Sequence, residues 1–103
     1  GTITTSSANM RYIRRGNVVY FKSQILITNN GTGAGALQMT VPIAQVGSYG
    51  TVSTGLQRVP TGYTVYGWLD GGGDTTMSIK FYNDTYPGAN GAVIELTGFY
   101  EVT

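Results

Sequence analysis

The residues that could carry out acid–base chemistry are few in this sequence. Its 103 residues include five carboxylates and neither histidine nor cysteine. Glycoside hydrolysis requires two facing carboxyl groups about 5–9.5 Å apart. Glu95 and Glu101 share a face of one predicted strand, but they lie roughly 20 Å apart along it. Serine and threonine hydroxyls have no histidine to activate them. The sequence therefore predicts a protein that is not an enzyme and uses no cofactor.

A calcium site is the next chemistry to consider. Asp70 and Asp74 flank three glycines, and Asn83 and Asp84 follow the next predicted strand. Their oxygen atoms are of the kind that calcium prefers, but the spacing matches no EF-hand loop. Aspartate and glycine are also ordinary turn formers. We therefore interpret residues 70–74 as a hairpin turn and predict no metal.

Aromatic residues offer a more specific possibility. There are twelve, of which eight are tyrosine. In the predicted strand Tyr63–Leu69, Trp68 and Tyr66 alternate with apolar residues and are followed by Asp70. A ring beside a carboxylate can stack on a sugar while the polar atoms bind its hydroxyl groups. Three further candidate sugar contacts lie in predicted loops or weak strands: Tyr49, Tyr86 and Asn90.

The same rings have a structural alternative. Tyrosine and tryptophan are enriched at protein interfaces because they combine apolar area with one polar group. Trp68 and Tyr66 would then pack against a neighbouring subunit or under a loop. The sequence leaves both alternatives open and favours the interface.

Composition excludes other classes of function. Six basic residues against five acidic ones give a net charge of +1, unlike the basic footprint of a nucleic-acid-binding domain. No apolar run is long enough to predict insertion into a membrane. A small domain without disulfides depends on its core or on oligomerisation for stability. The local cluster of Arg11, Arg14 and Arg15 is interpreted as a solvated or interface-facing hairpin tip.

Alternating apolar residues between glycine and proline turns predict an all-β chain with about eight strands and no significant helix. We expect a single antiparallel β-sandwich of jelly-roll or Greek-key type that spans residues 1–103. The predicted strands are Thr2–Ala8, Met10–Arg15, Asn17–Thr28, Ala36–Val41, Gln45–Ser53, Tyr63–Leu69, Thr75–Tyr82 and Ala92–Val102.

The faces of these strands predict both a core and an interface. The longest run places Val19, Phe21, Ile25 and Ile27 on one face, which we expect to be buried. The outer faces are more apolar than water-exposed sheets usually are. Identical copies could bury that surface against one another. The candidate subunit-interface residues are Ile13, Val18, Tyr20 and Phe99.

The segment Arg11–Pro42 resembles a theme of phage tail-fibre and receptor-binding tip domains. A tyrosine, a glycine turn, a long strand, a glycine-rich segment and a strand ending in proline follow one another. The matching positions are Tyr12, Gly16, Val19, Asn30, Gly31, Gly35, Leu37 and Pro42 at the start, and Gly98 and Tyr100 in the closing strand. Residues 44–92 match these domains only in general character and not in any motif.

This resemblance implies a C-terminal β-sandwich, located in the virion, that forms a homotrimer at the end of a fibre or appendage. It implies attachment to a host cell-surface receptor, most often a saccharide, and no catalysis. We accordingly expect the chain to be the C-terminal fragment of a longer fibre-like protein. Two alternatives stay open: a purely structural trimerisation or capping module, and a carbohydrate-binding module of a secreted enzyme.

Overall fold

The computed structural model describes residues 3–35, 37–46, 50–70 and 73–103. These residues form one sheet of seven strands, with every neighbouring pair antiparallel, in the order β1-β2-β7-β4-β5-β6-β3. The strands are β1 (Thr5–Arg15), β2 (Val18–Asn29), β3 (Leu37–Thr40), β4 (Thr51–Val59), β5 (Thr64–Leu69), β6 (Thr76–Phe81) and β7 (Ala92–Glu101). No helix long and apolar enough to cross a bilayer occurs in these ranges.

The all-β prediction is confirmed, but the strand count and the number of sheets differ from expectation. β1 runs continuously from Thr5 to Arg15 and so joins the later part of the predicted strand Thr2–Ala8 to the predicted strand Met10–Arg15; Thr2 lies outside the described residues. β4 runs from Thr51 to Val59, so it begins later and ends later than the predicted strand Gln45–Ser53. The two-sheet sandwich of about eight strands is not confirmed, because the described strands belong to a single curled sheet that resembles half a barrel.

Glycines on the inner face of three neighbouring strands account for much of this curl. Gly55 of β4, Gly67 of β5 and Gly98 of β7 all fall at inward-facing positions. A Cβ atom at Gly67 would lie 2.5 Å from the Met77 sulfur, and one at Gly98 would lie 2.5 Å from the Ser53 hydroxyl. Without these side chains the concave face can close on itself. One sheet therefore supplies apolar residues to opposite sides of the core.

The predicted core faces are confirmed. Each of the four residues expected to be buried on β2 is at most 5% exposed. The concave side also receives alternating apolar residues of the other strands. These include Val65, Leu69, Met77, Ile79, Ile94, Leu96, Tyr100 and Val102.

The segment that follows β3 is tied to the sheet by two buried side chains. The Tyr100 hydroxyl donates a hydrogen bond to the Ile43 carbonyl at 2.8 Å. The Gln45 side-chain amide donates to the Asp70 carbonyl at 2.7 Å. These bonds hold the connection against β7 and the end of β5, where Ile43 packs against the core.

Candidate functional site

The β5–β6 hairpin sets the positions of the candidate sugar-binding residues. The pairing predicted between these two strands is confirmed. Its register places Tyr66 opposite Lys80 and Trp68 opposite Ser78. Val65, Gly67 and Leu69 face the core, so Tyr66 and Trp68, which alternate with them, project from the convex face.

Asp84 joins this group from the turn after β6. Its carboxylate accepts a hydrogen bond from the Tyr66 hydroxyl at 2.9 Å, and the Lys80 ammonium lies 3.1 Å from the same oxygen. The hydrogen bond from Lys80, followed by that from Tyr66, lowers the pKa of Asp84 below its ordinary value. The hydrogen bond to Asp84 raises the pKa of Tyr66. The carboxylate is therefore held ionised and oriented next to a neutral phenol.

These side chains line one shallow groove, which we call the Trp68 groove. Its residues are Tyr66, Trp68, Ser78, Lys80 and Asp84, and its volume is about 270 Å³. Trp68 is 46% exposed, so part of its indole ring is open to solvent.

The position of the Trp68 ring depends on a glycine. A Cβ atom at Gly50 would lie 2.6 Å from the indole nitrogen and 2.7 Å from the Leu69 carbonyl oxygen. Any larger residue there would have to displace the ring or the strand. The close approach of Gly50 thus helps to fix the orientation of the indole.

The chemistry of the groove suits a neutral, hydroxyl-rich ligand. An exposed indole offers an apolar face for stacking. Asp84 can only accept hydrogen bonds, Lys80 can only donate them, and the Ser78 hydroxyl can do both. Apolar area combined with a few convergent polar groups is typical of small-molecule sites.

The other candidate sugar contacts lie elsewhere. Tyr86 packs against the core and donates a hydrogen bond from its hydroxyl to the Asn30 side chain at 2.7 Å, while the Asn90 side chain accepts one from the Asn30 backbone at 2.7 Å. Burial raises the pKa of Tyr86. These two side chains therefore tie the loop before β7 to the end of β2.

Asp70 is not among the residues that line the Trp68 groove. It is exposed at the end of β5, where its backbone amide donates to the Asp74 carboxylate at 2.7 Å. This bond closes the predicted turn. Tyr49 lies outside the described residues.

The four candidate interface residues come together on the convex face. Ile13 of β1 lies opposite Tyr20 of β2, and Tyr20 lies opposite Phe99 of β7. The rings of Tyr20 and Phe99 are 5.8 Å apart. Ile13 is 61% exposed, Tyr20 48% and Phe99 62%. Val18 is half-buried and lines a groove beside Phe99.

This row continues across the sheet to the Trp68 groove. The β4–β7 register, extended by two residues, sets Val52 opposite Phe99, and both line the same groove. Val52 is in turn opposite Trp68. An apolar row therefore crosses five adjacent strands; its members, hereafter the apolar row, are Ile13, Tyr20, Phe99, Val52 and Trp68.

Sequence reasoning did not select Ser78, Lys80 or Val52 for the site. It considered Asp84 only as a calcium ligand. The sequence does contain a signal for Lys80 and Asp84. The predicted hairpin places Lys80 beside Tyr66, and the spacing of Lys80 and Asp84 allows an ion pair across a turn. Across the described ranges, no three His, Cys, Asp or Glu residues are grouped so that they could hold a metal.

Comparisons with known proteins add no relative. No family model, curated protein or solved structure matches this chain. Function must therefore be argued from the geometry of the chain itself.

Proposed function

We propose that this chain is the tip domain of a phage tail fibre or virion appendage, which trimerises and binds a saccharide on the host cell surface. The observation that carries the proposal is the exposed Trp68 indole beside an Asp84 carboxylate held by Tyr66 and Lys80. The resemblance of Arg11–Pro42 to tail-fibre tip domains supports the same assignment.

In this proposal the Trp68 indole stacks on the apolar face of a sugar ring. The Asp84 carboxylate accepts hydrogen bonds from two adjacent hydroxyl groups, and Lys80 and Ser78 bind the ring from the opposite strand. Because Asp84 is already oriented by two partners, little conformational freedom would be lost on binding.

The apolar row supplies the surface for trimerisation. Large contiguous apolar patches on the surface of a small protein usually mark sites of interaction with another molecule. Association of three copies around a threefold axis would cover Ile13, Tyr20 and Phe99 and leave Trp68, at the other end of the apolar row, open to a ligand.

Loss of saccharide binding in Trp68→Ala tests the proposed site. Binding of the parent protein is first located on a glycan array and then quantified by isothermal titration calorimetry with the best neutral oligosaccharide. We expect Trp68→Ala to weaken binding by about tenfold or more, since the stacking surface is lost. Tyr82→Ala is the matched control, because Tyr82 is an exposed aromatic residue outside the groove. Unchanged affinity in a folded Trp68→Ala variant would exclude this site.

A purely structural trimerisation module is the second candidate. It is favoured by the continuity of the apolar row, in which Trp68 is the neighbour of Val52. Under this alternative Trp68→Ala would weaken self-association and the parent would bind no glycan. A stable monomer that binds saccharide would instead favour a carbohydrate-binding module of a secreted enzyme.

A further inference from the structure

Two cations face each other on the convex side of the β1–β2 hairpin. Arg11 of β1 is the direct cross-strand partner of Lys22 of β2. Like charges in this position destabilise a sheet. Neither side chain forms an ion pair with any residue that the structure describes. The two positive charges therefore repel each other, and no described residue pairs with either of them.

The surroundings of this pair contain little compensating charge. β1 and β2 contain no aspartate or glutamate. The nearest acidic residue by register is Glu95 of β7, opposite Gln24, and it pairs with Arg58 at 3.3 Å. Glu101 lies opposite Val18, at the far end of the hairpin.

The other two arginines of the hairpin differ from Arg11. Arg14 donates hydrogen bonds to the carbonyls of Gly16 and Thr103. Arg15 is opposite Val18 and faces no second cation. Only Arg11 and Lys22 combine direct opposition with the absence of a described partner.

Grooves on both sides of the pair provide room for a ligand. One has a volume of about 430 Å³ and is lined by the amide side chains of Asn9 and Gln24 and by Glu95, whose carboxylate is neutralised by Arg58. The other brings Tyr20 and Thr97 beside the same two cations. Hydrogen-bonding amides next to a positive pair are suited to a polar ligand that carries an anionic group.

We propose that Arg11 and Lys22 form an anion subsite that binds the carboxylate or sulfate of an acidic saccharide. A single anion between the two cations would replace their repulsion with two charge-assisted hydrogen bonds. Two opposed cations are too few for a nucleic-acid footprint, which requires a basic stripe or patch. The saccharide part of this inference rests on the proposed function, and the anion part does not.

The position of this subsite is compatible with one extended ligand. β7 and β4 separate β2 from β5, so three inter-strand steps lead from Lys22 to the strand of Trp68. This corresponds to roughly 15 Å along the sheet. An acidic unit at the cation pair and a neutral unit at the Trp68 groove could therefore belong to the same oligosaccharide.

The test follows backbone and side-chain NMR signals during titration with sulfate and, separately, with glucuronate. Ionic strength is held constant with chloride. We expect saturable shifts at Arg11, Lys22 and Thr97, and an affinity about tenfold lower in Arg11→Gln/Lys22→Gln. Arg15→Gln, which lies on the same hairpin, is the matched charge control and should change affinity less than about twofold. Equal affinity in the parent and the double variant would overturn the subsite.

Thermal melting provides a second readout that does not depend on a ligand. Lys22→Gln removes one of two opposed cations, so it should melt at or above the temperature of the parent. A lower melting temperature would show that the pair is not in conflict and would overturn the argument.

Failure of this subsite can be distinguished from failure of the proposed function. Equal binding of glucuronate-terminated and glucose-terminated oligosaccharides, both dependent on Trp68, would reject the anion subsite and retain the saccharide function. Sulfate shifts at Arg11 and Lys22 without binding of any saccharide would retain the anion subsite and reject the saccharide function.

Discussion

Asp84 has a left-handed backbone conformation, with a φ angle of 68°, that residues other than glycine rarely adopt. Aspartate and asparagine tolerate it better than most residues. Its carboxylate is at the same time the acceptor for both Tyr66 and Lys80. One residue therefore both completes the turn after β6 and organises the Trp68 groove.

Asp84→Asn should lower the pKa of Tyr66. The substitution removes the carboxylate whose hydrogen bond and negative charge favour the neutral phenol. Asparagine retains the tolerance for the left-handed conformation, so the turn should be preserved. The measurement is phenolate absorbance against pH in the parent and the variant. The control is Glu101→Gln, which removes an exposed carboxylate elsewhere. Identical tyrosine titrations in the parent and Asp84→Asn would contradict the contact.

The contact of Asp84 with Lys80 and Tyr66 also determines whether stability rises or falls with pH. The folded protein lowers the pKa of Asp84. The stabilisation that its ionised carboxylate gives to the fold is therefore present at neutral pH and is lost as the pH falls through that lowered pKa. Melting temperatures of the parent and Asp84→Asn should therefore differ at neutral pH and converge in acid. A difference that grows in acid would contradict this assignment.

At the scale of the strands, the alternation of apolar residues predicted individual strands better than it predicted their arrangement in a sheet. Alternation identified the buried faces of β2, β5, β6 and β7, because each depends on neighbours two residues apart in the chain. It did not predict the single sheet. Gly55, Gly67 and Gly98 allow that sheet to curl because they lack side chains, and an alternating apolar pattern does not show this. It also missed the continuity of β1, where Thr, Ser and Asn form an exposed strand with no apolar alternation.

Alanine at two inward-facing glycines should have unequal effects. At Gly55 a Cβ atom would collide with the Glu95 carbonyl oxygen and lie 2.8 Å from the Leu96 Cα, and neither backbone atom can rotate away. At Gly67 it would meet the sulfur of Met77, which has a flexible side chain. We expect Gly55→Ala to reduce the free energy of unfolding by about 3 kcal/mol and Gly67→Ala by about 1 kcal/mol. Urea denaturation measures both values, and a larger loss at Gly67 would contradict the explanation.

For the whole molecule, strand order decides which residues become neighbours. Ile13, Tyr20 and Phe99 lie on separate strands, and each is unusually apolar for an outer face. Their alignment arises because β7, the last strand, inserts between β2 and β4. A single sequence does not specify that order, so it predicted apolar outer faces that include Trp68, but neither their alignment nor Val52, which links Trp68 to Phe99.

Charge is also distributed unevenly over the chain. All five acidic residues follow position 69, and five of the six basic residues precede it. In the folded chain β1 and β2 form one end of the sheet order and carry only positive charge. Glu95 and Glu101 lie on β7, directly beside β2, so the basic strands border acidic residues of the same chain.

Phe99→Ser should convert the proposed trimer into a monomer. Phe99 is the exposed centre of the apolar row and contacts Tyr20, so a polar residue there removes the apolar area that would drive association. Sedimentation velocity at micromolar concentration measures the change. Tyr82→Ser removes an equally exposed ring outside the row and should leave the trimer intact. Because Phe99 projects from the convex face, the variant should keep its core and its circular dichroism spectrum. A parent protein that sediments as a stable monomer would reject the trimer, and a trimeric Phe99→Ser variant would move the interface away from the apolar row.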